Sequence, residues 1–139
     1  MNVNRLTDSL DFQAQALTLR AERQRVIASN IANADTPGYA ARDLDFSTAL
    51  KAATDQLPGA ARMATTQAGH MALPGAASPG EAALRYATAS QTSLDSNSVD
   101  MDRERASFAE NSVKYEATLR FINGHVRTML DAMKSPSQG

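Results

Sequence analysis

The sequence predicts a mainly α-helical chain: two long terminal amphipathic helices pair as an antiparallel coiled-coil hairpin, with a short extended, turning segment after the first helix and a flexible Ala/Gly/Pro-rich middle. Three observations carry this expectation. Apolar side chains recur at steps of three and four near both ends, charge is crowded into those ends, and the middle consists of small residues and chain breakers. Residues 1–56 hold 6 Lys+Arg and 7 Asp+Glu and residues 99–139 hold 6 and 6, whereas residues 57–98 hold only 2 and 2. The chain therefore divides at 1–56, 57–98 and 99–139.

In the first division Leu6, Leu10, Ala14, Leu17, Ala21, Gln24, Ala28 and Ile31 follow helical steps and share one side of a helix reaching about Asn33. Arg20, Arg23 and Arg25 fall mostly on the other side and read as a solvated face. Asn33 is placed to end the helix, since Asn tolerates the left-handed conformation at a C-cap. Thr36-Pro37-Gly38-Tyr39 then matches a type II turn, with Pro presetting the second position and Gly accepting positive φ at the third. Beyond it Leu44 and Phe46 alternate with Asp43 and Asp45. That spacing predicts a short extended piece with two apolar side chains on one face, before a helical turn capped near Asp45 or Ser47. Tyr39 and Phe46 are the expected anchors.

The middle division contains 11 Ala, Pro58, Pro74, Pro79, Gly59, Gly69, Gly75 and Gly80. Such a stretch buries too little apolar surface to offset its ordering entropy, so 57–80 is expected to be a loop. Glu81–Tyr86 is expected to form a helical turn or a short strand, and Ser90–Ser98 a polar linker.

In the last division Met101, Arg105, Phe108, Ser112, Tyr115, Leu119, Ile122, Val126, Met129 and Met133 keep 4-3 spacing, with Asp100 or Asp102 available as N-cap. This is the pattern of a coiled-coil seam. Glu110 to Lys114 and Glu116 to Arg120 are i,i+4 pairs in the favourable order, each contributing about 0.2–0.5 kcal/mol. Gly124 costs about 1 kcal/mol relative to Ala inside a helix. Either a closely packed neighbour tolerates it or it is a local weak point.

The apolar content is modest for so much helix. Aromatics make up 5% of the 139 residues, and much of the 42% hydrophobic fraction is alanine. Ordering a helical residue costs about 1–2 kcal/mol in backbone entropy alone, so one isolated helix pair is poorly funded by its seam and expects neighbours. The formal charge of −1 lacks the basic excess of a nucleic-acid binder. With no cysteine there is no disulfide, thiolate nucleophile or Cys-based metal site. His70 and His125 have no carboxylate cluster at ligand spacing, and no G-x-S-x-G, phosphate loop or H-E-x-x-H occurs. The N-terminal residues lack a secretory h-region, and nothing reaches the length of a membrane span. Catalysis, cofactor binding, metal binding and small-molecule turnover are therefore not expected.

The string Ser29-Asn30-Ile31-Ala32-Asn33-Ala34-Asp35-Thr36-Pro37-Gly38-Tyr39, behind an amphipathic helix, resembles the signature of the bacterial flagellar axial proteins that build rod and hook. Thr36 to Phe46 is similar to the proximal rod members of that family. The run Asn97-Ser98-Val99-Asp100-Met101-Asp102-Arg103-Glu104, followed by Asn111-Ser112-Val113-Lys114-Tyr115, resembles the start of their C-terminal helix. The resemblance covers about residues 5–56 and 95–134. It implies a non-catalytic subunit, exported unfolded through the flagellar type III apparatus and assembled into the periplasmic rod beside other rod subunits and the export gate. It also implies that the terminal helices form an inner coiled-coil layer. Leu6, Leu10, Leu17 and Ile31 are then expected to pack against Leu119, Ile122, Val126 and Met129, within or between subunits, together with Phe108 and Tyr115. Asn30, Asn33, Thr36, Pro37, Gly38 and Tyr39, with Leu44 and Phe46, are expected to form the assembly motif. A soluble helical adaptor explains the heptads equally well, and only the motif from Ser29 to Phe46 argues against it.

Overall fold

A computed structural model describes residues 3–55, 84–86 and 96–134, with side chains described from Thr7 onward except at Tyr86. Helix α1 spans Val3–Ala32 and helix α3 spans Met101–Lys134, 30 and 34 residues long. At 1.5 Å per residue they are roughly 45 and 50 Å in length, so they match end to end. Between them lie strand β1 (Arg42–Leu44), helix α2 (Phe46–Thr54) and strand β2 (Leu84–Tyr86). All of the expected loop at 57–80 and most of the expected linker at 90–98 fall outside the described residues. Leu6 lies in the first turns of α1, and its side chain is outside them too.

The hairpin is antiparallel. Arg20 meets Thr118, Gln24 meets Ser112 and Asn111, and Asn30 meets Glu104, so numbers fall on α3 as they rise on α1. β1 and β2 pair antiparallel, with Arg42 opposite Tyr86 and Leu44 opposite Leu84. Of the helical turn or short strand expected within Glu81–Tyr86, the described residues Leu84–Tyr86 form the strand.

The main core cluster joins α1 to β1, α2 and β2. Leu19, Leu44, Ala49 and Ala53 are buried together, with Phe46, Leu50 and Leu84 packed against them. α2 starts where expected: Asp45 has extended backbone at φ −70 and ψ 92, and its carboxylate accepts from the Thr48 amide and the Ser47 hydroxyl. Those bonds satisfy a donor that the helix start would otherwise leave open. Asp100 does the same for α3, accepting from the amides of Asp102 and Arg103 at 3.1 Å each.

The α3 seam differs from the expected one by a rotation of one residue. The most buried line is Glu104, Asn111 and Thr118, at 8%, 0% and 5% exposure, in place of Arg105, Ser112 and Leu119. The line of Met101, Tyr115, Ile122 and Met129 stays half-buried, whereas Phe108, Leu119 and Val126 are 41%, 36% and 39% exposed. The reason lies on α1, whose side chains toward α3 include Arg20, Gln24 and Asn30. A polar row on one helix finds its hydrogen bonds in a polar row on the other, and buried polar groups demand such partners.

The arginines of α1 are also more engaged than a solvated face. The Arg20 guanidinium lies 4.2 Å above the Phe46 ring centroid, and its Nε donates to Thr118 Oγ1 at 3.2 Å. Burial holds its pKa below the ordinary arginine value, with Arg23 acting in the same direction. Arg23 pairs with Asp43 at 3.4 Å, and Arg25 alone of the three is exposed. The two i,i+4 pairs on α3, Lys114 with Glu110 and Arg120 with Glu116, are present. Gly124 meets open space, so no close neighbour within the chain explains it.

Candidate functional site

At one end of the hairpin the chain leaves α1, turns, runs through β1 and returns into α3. Asn30 organises this end. Its side chain is fully buried, and its Nδ2 donates to the Arg42 carbonyl at 2.6 Å while its Oδ1 accepts from the Arg42 amide at 3.1 Å. One side-chain amide thereby pairs with the backbone of β1 as a neighbouring strand would. Tyr39 closes over it, its hydroxyl 3.4 Å from Asn30 Oδ1 and 3.2 Å from Ser29 Oγ.

The turn itself has the expected geometry. The Tyr39 amide donates to the Thr36 carbonyl at 3.2 Å, and Gly38 has φ +70 with open space around it. Gly is required there by backbone conformation, not by crowding. Thr36 Oγ1 donates to Asn33 Oδ1 at 3.2 Å, while Pro37 is exposed and acts through its fixed φ.

Helix α1 does not end on a left-handed Asn33, because Ser96 is the one non-glycine residue with positive φ among those described. Asn33 Nδ2 donates back to the Ser29 carbonyl at 2.8 Å instead. The open carbonyls at the helix end are taken by a residue from the far side of the sequence. Asn97 is 5% exposed, and its Nδ2 lies 2.9, 2.8 and 2.7 Å from the carbonyls of Asn33, Ala34 and Thr36. Its Oδ1 accepts from the Val99 amide at 2.8 Å. Next to it the Ser98 amide donates to the Tyr39 carbonyl at 3.0 Å, and Ser98 Oγ accepts from the Ala41 amide at 2.8 Å. Ser96–Val99 is therefore a strap that ties the entry of α3 to the exit of α1, not a polar linker.

Leu44 and Phe46 leave the turn for the core, Leu44 at 2% exposure and Phe46 beneath Arg20. Glu104 lies against Asn30 from the α3 side. Burial pushes its carboxyl pKa above the ordinary value, Asp43 and Asp100 push the same way, and the Asn30 hydrogen bond and Arg103 oppose them.

Of the expected motif, the structure brings together Asn30, Asn33, Thr36, Gly38 and Tyr39, and it places Pro37 at the surface. Of the helix-packing residues, Leu10, Leu17, Ile31, Tyr115, Ile122 and Met129 are half-buried along the pair, while Phe108, Leu119 and Val126 face outward. Asn97, Ser98, Glu104 and Asn111 were not singled out as sites by the sequence. The available signal was the seven-residue spacing of Glu104, Asn111 and Thr118, a polar line one position from the apolar one. His125 is half-buried on α3 and His70 lies outside the described residues. Among the described residues no group of three His, Cys, Asp or Glu is placed to hold a metal ion. The site's hydrogen-bonding groups satisfy one another, so what it does is fix geometry.

Comparison with known proteins reaches the same stretch. Residues 10–39 match the family model described as flagella basal body rod protein. The flagellar basal body rod protein FlgB of Escherichia coli is 44% identical over 135 residues, covering 96% of this chain and 98% of its own. FlgB of Proteus mirabilis is 43% identical over 136 residues, with 95% and 98% covered. FlgB of Cereibacter sphaeroides is 42% identical over 127 residues, with 91% and 94% covered. The similarity therefore runs through both arms of the hairpin and the clasp that joins them, and the chain belongs to the FlgB family of flagellar basal body rod proteins.

Proposed function

We propose that this chain, a structural subunit of the flagellar basal body rod and not an enzyme, is exported unfolded through the flagellar apparatus. In this reading it joins the proximal, periplasmic part of the rod beside the export gate and is held there by helix packing with neighbouring rod subunits. The observation that carries this reading is the outward face of α3. Leu130 and Met133, 49% and 71% exposed, continue the line of the exposed Phe108, Leu119 and Val126, while Val113 and Phe121, 69% and 62% exposed, stand on the other side of the helix. A helix of a lone globular protein turns such side chains inward, and a contiguous apolar face marks an interaction surface. The clasp then has a mechanical role: it holds the two helix ends and β1 in one arrangement, so that packing is transmitted through a fixed corner.

The test is complementation. In flagellated cells lacking their own copy, this chain with a C-terminal epitope restores swimming and is recovered full length in isolated basal bodies. Gly38→Val forces a β-branched residue to φ near +70 and is expected to abolish swimming at normal synthesis. A chain that is made, stays cytoplasmic and never enters basal bodies overturns the reading and favours the soluble adaptor. Wild-type swimming of Gly38→Val overturns the role given to the turn.

A further inference from the structure

We infer that the open groove between α1 and α3 receives the first half of α1 from a second copy of this chain, with Asp11 of the incoming helix toward Arg25 and Arg105. The inference rests on the rod-subunit reading and assigns it a partner surface. Two adjoining depressions of about 360 and 390 Å³ run along one side of the pair, lined by Ala21, Gln24, Arg25, Ala28, Ser112 and Tyr115, then by Ile31, Ala32, Arg105 and Phe108. Alanine forms much of the α1 wall, so a third helix can approach its backbone closely; Tyr115 and Phe108 supply the opposite wall. The apolar line Leu10, Ala14 and Leu17 expected for a seam is therefore the upstream continuation of this groove wall on the same helix.

Charge decides which helix enters. Arg25 and Arg105 are exposed at the groove, and neither forms an ion pair among the described residues. Residues 6–19 of α1 carry Asp8 and Asp11 and no Lys or Arg, the helix's first cation, Arg5, lying one turn before Asp8. The alternative apolar helix end, α3 residues 120–134, carries Arg120, Arg127 and Lys134 against Asp131 and would set cation against cation. On the incoming helix Asp11 flanks the line of Leu10, Ala14 and Leu17, whereas Asp8 points away from it by helical geometry. The incoming helix runs parallel to the receiving α1, displaced by about half its length, so the contact is head-to-tail and repetition gives an open stack; an antiparallel docking would pair position 11 with 25 twice over and close a dimer, giving no ladder beyond it.

The chain has no cysteine, so the contact can be read by introduced disulfides. Positions 11 and 25 lie fourteen residues apart on one helix, about 21 Å, far beyond the ~7 Å Cα separation a disulfide spans. Any bond between them joins two chains. In basal bodies isolated from swimming cells that carry Asp11→Cys/Arg25→Cys, mild oxidation is expected to give dimers and longer ladders. The single variants are expected to give little cross-linked product. As a second measurement, Arg25→Asp is expected to weaken self-association of the purified full-length chain about two- to fivefold at low salt, and Asp11→Arg in the same chain to restore it. If the double-cysteine chain supports swimming but yields no 11–25 product, the groove assignment fails while the rod reading stands. If the unmodified chain never enters basal bodies, the rod reading fails and takes the groove assignment with it.

Discussion

Asn97 gives the sharpest test of how the clasp works, because a single buried amide serves three carbonyls of the turn that follows α1. Its two N–H groups satisfy two of those acceptors fully at any moment. Asn33 and Thr36 carbonyls have second donors in the Thr36 and Tyr39 amides, so the Ala34 carbonyl depends on Asn97 most. Asn97→Ala removes about two hydrogen bonds of net worth near 1 kcal/mol each and leaves an acceptor unpaired at a further cost of about 1–3 kcal/mol, a total of roughly 3–5 kcal/mol. At about 3–6 °C per kcal/mol for a chain of this size, the expected fall in Tm is on the order of 10 °C. Asn97→Asp keeps the acceptor for the Val99 amide but points a carboxylate oxygen at the carbonyls. It is therefore expected to be worse than Ala at neutral pH and to recover partly on acidification, when the new carboxyl gains a proton to donate. Far-UV circular dichroism of the full chain at fixed concentration, melted at pH 5 and pH 7.5, measures both. An Asp variant as stable as the parent at neutral pH refutes the donor argument outright, since it is the same size and puts an accepting carboxylate where the donating amide stood.

The other predictions concern α3. Glu104 has its carboxyl pKa raised by burial, so in the window between the ordinary glutamate range and its raised folded value the native chain binds more protons than the unfolded one. Its contribution to stability is therefore largest at the acid end of that window and is lost as pH rises through the folded value; Glu104→Gln is expected to raise the neutral-pH melting temperature and flatten the pH dependence there. A steeper dependence in the Gln variant counts against it. Asp45 and Glu110, held below their ordinary values first by the Ser47 hydroxyl and by Lys114 respectively, act with the opposite sign as pH falls further. Asn111 donates to the Arg20 carbonyl at 2.9 Å and to Gln24 Oε1 at 2.7 Å, while its own Oδ1 has no partner. Asn111→Leu is accordingly expected to change stability by less than about 1.5 kcal/mol yet to broaden the distance between spin labels at positions 18 and 120, read by pulsed EPR. A large loss of stability with one sharp distance speaks for a structural bond and against a register role.

Much of the backbone was legible because local chemistry agreed with the fold. The Pro37-Gly38 pair, the Asp45 and Asp100 caps and the helical periodicity of both arms each name a conformation on their own. What stayed hidden depends on contacts far apart in sequence. Asn97 is 64 positions from Asn33, and nothing in its neighbours announces that it ends another helix. The seam was misassigned for a related reason. The 4-3 rule ranks lines by hydrophobicity, and the apolar line of α3 is the better coiled-coil pattern, but α1 presents Arg20, Gln24 and Asn30 to its partner. Only the pair of helices taken together shows that a polar line fits there. Likewise the burial of Arg20 needs Phe46 above it, a contact that no single-helix pattern contains.

The rotation of the seam has a consequence for assembly. A hairpin that buried its best apolar line internally would have little left to offer a neighbour, and its register would be free to slip by whole heptads, since leucine-like contacts repeat every seven residues. Here the internal contact is spent on groups that need particular partners across the helix pair: Asn30 with Glu104, Gln24 with Ser112 and Asn111, Arg20 with Thr118. A slip of one heptad breaks every one of these bonds and leaves buried polar groups unpaired, at about 1–3 kcal/mol apiece. Polar pairing therefore sets the alignment of the two helices before any neighbour arrives, at little gain in stability. The apolar side chains, which stabilise without demanding a particular partner atom, remain on the outside, where a helix supplied by another subunit can cover them.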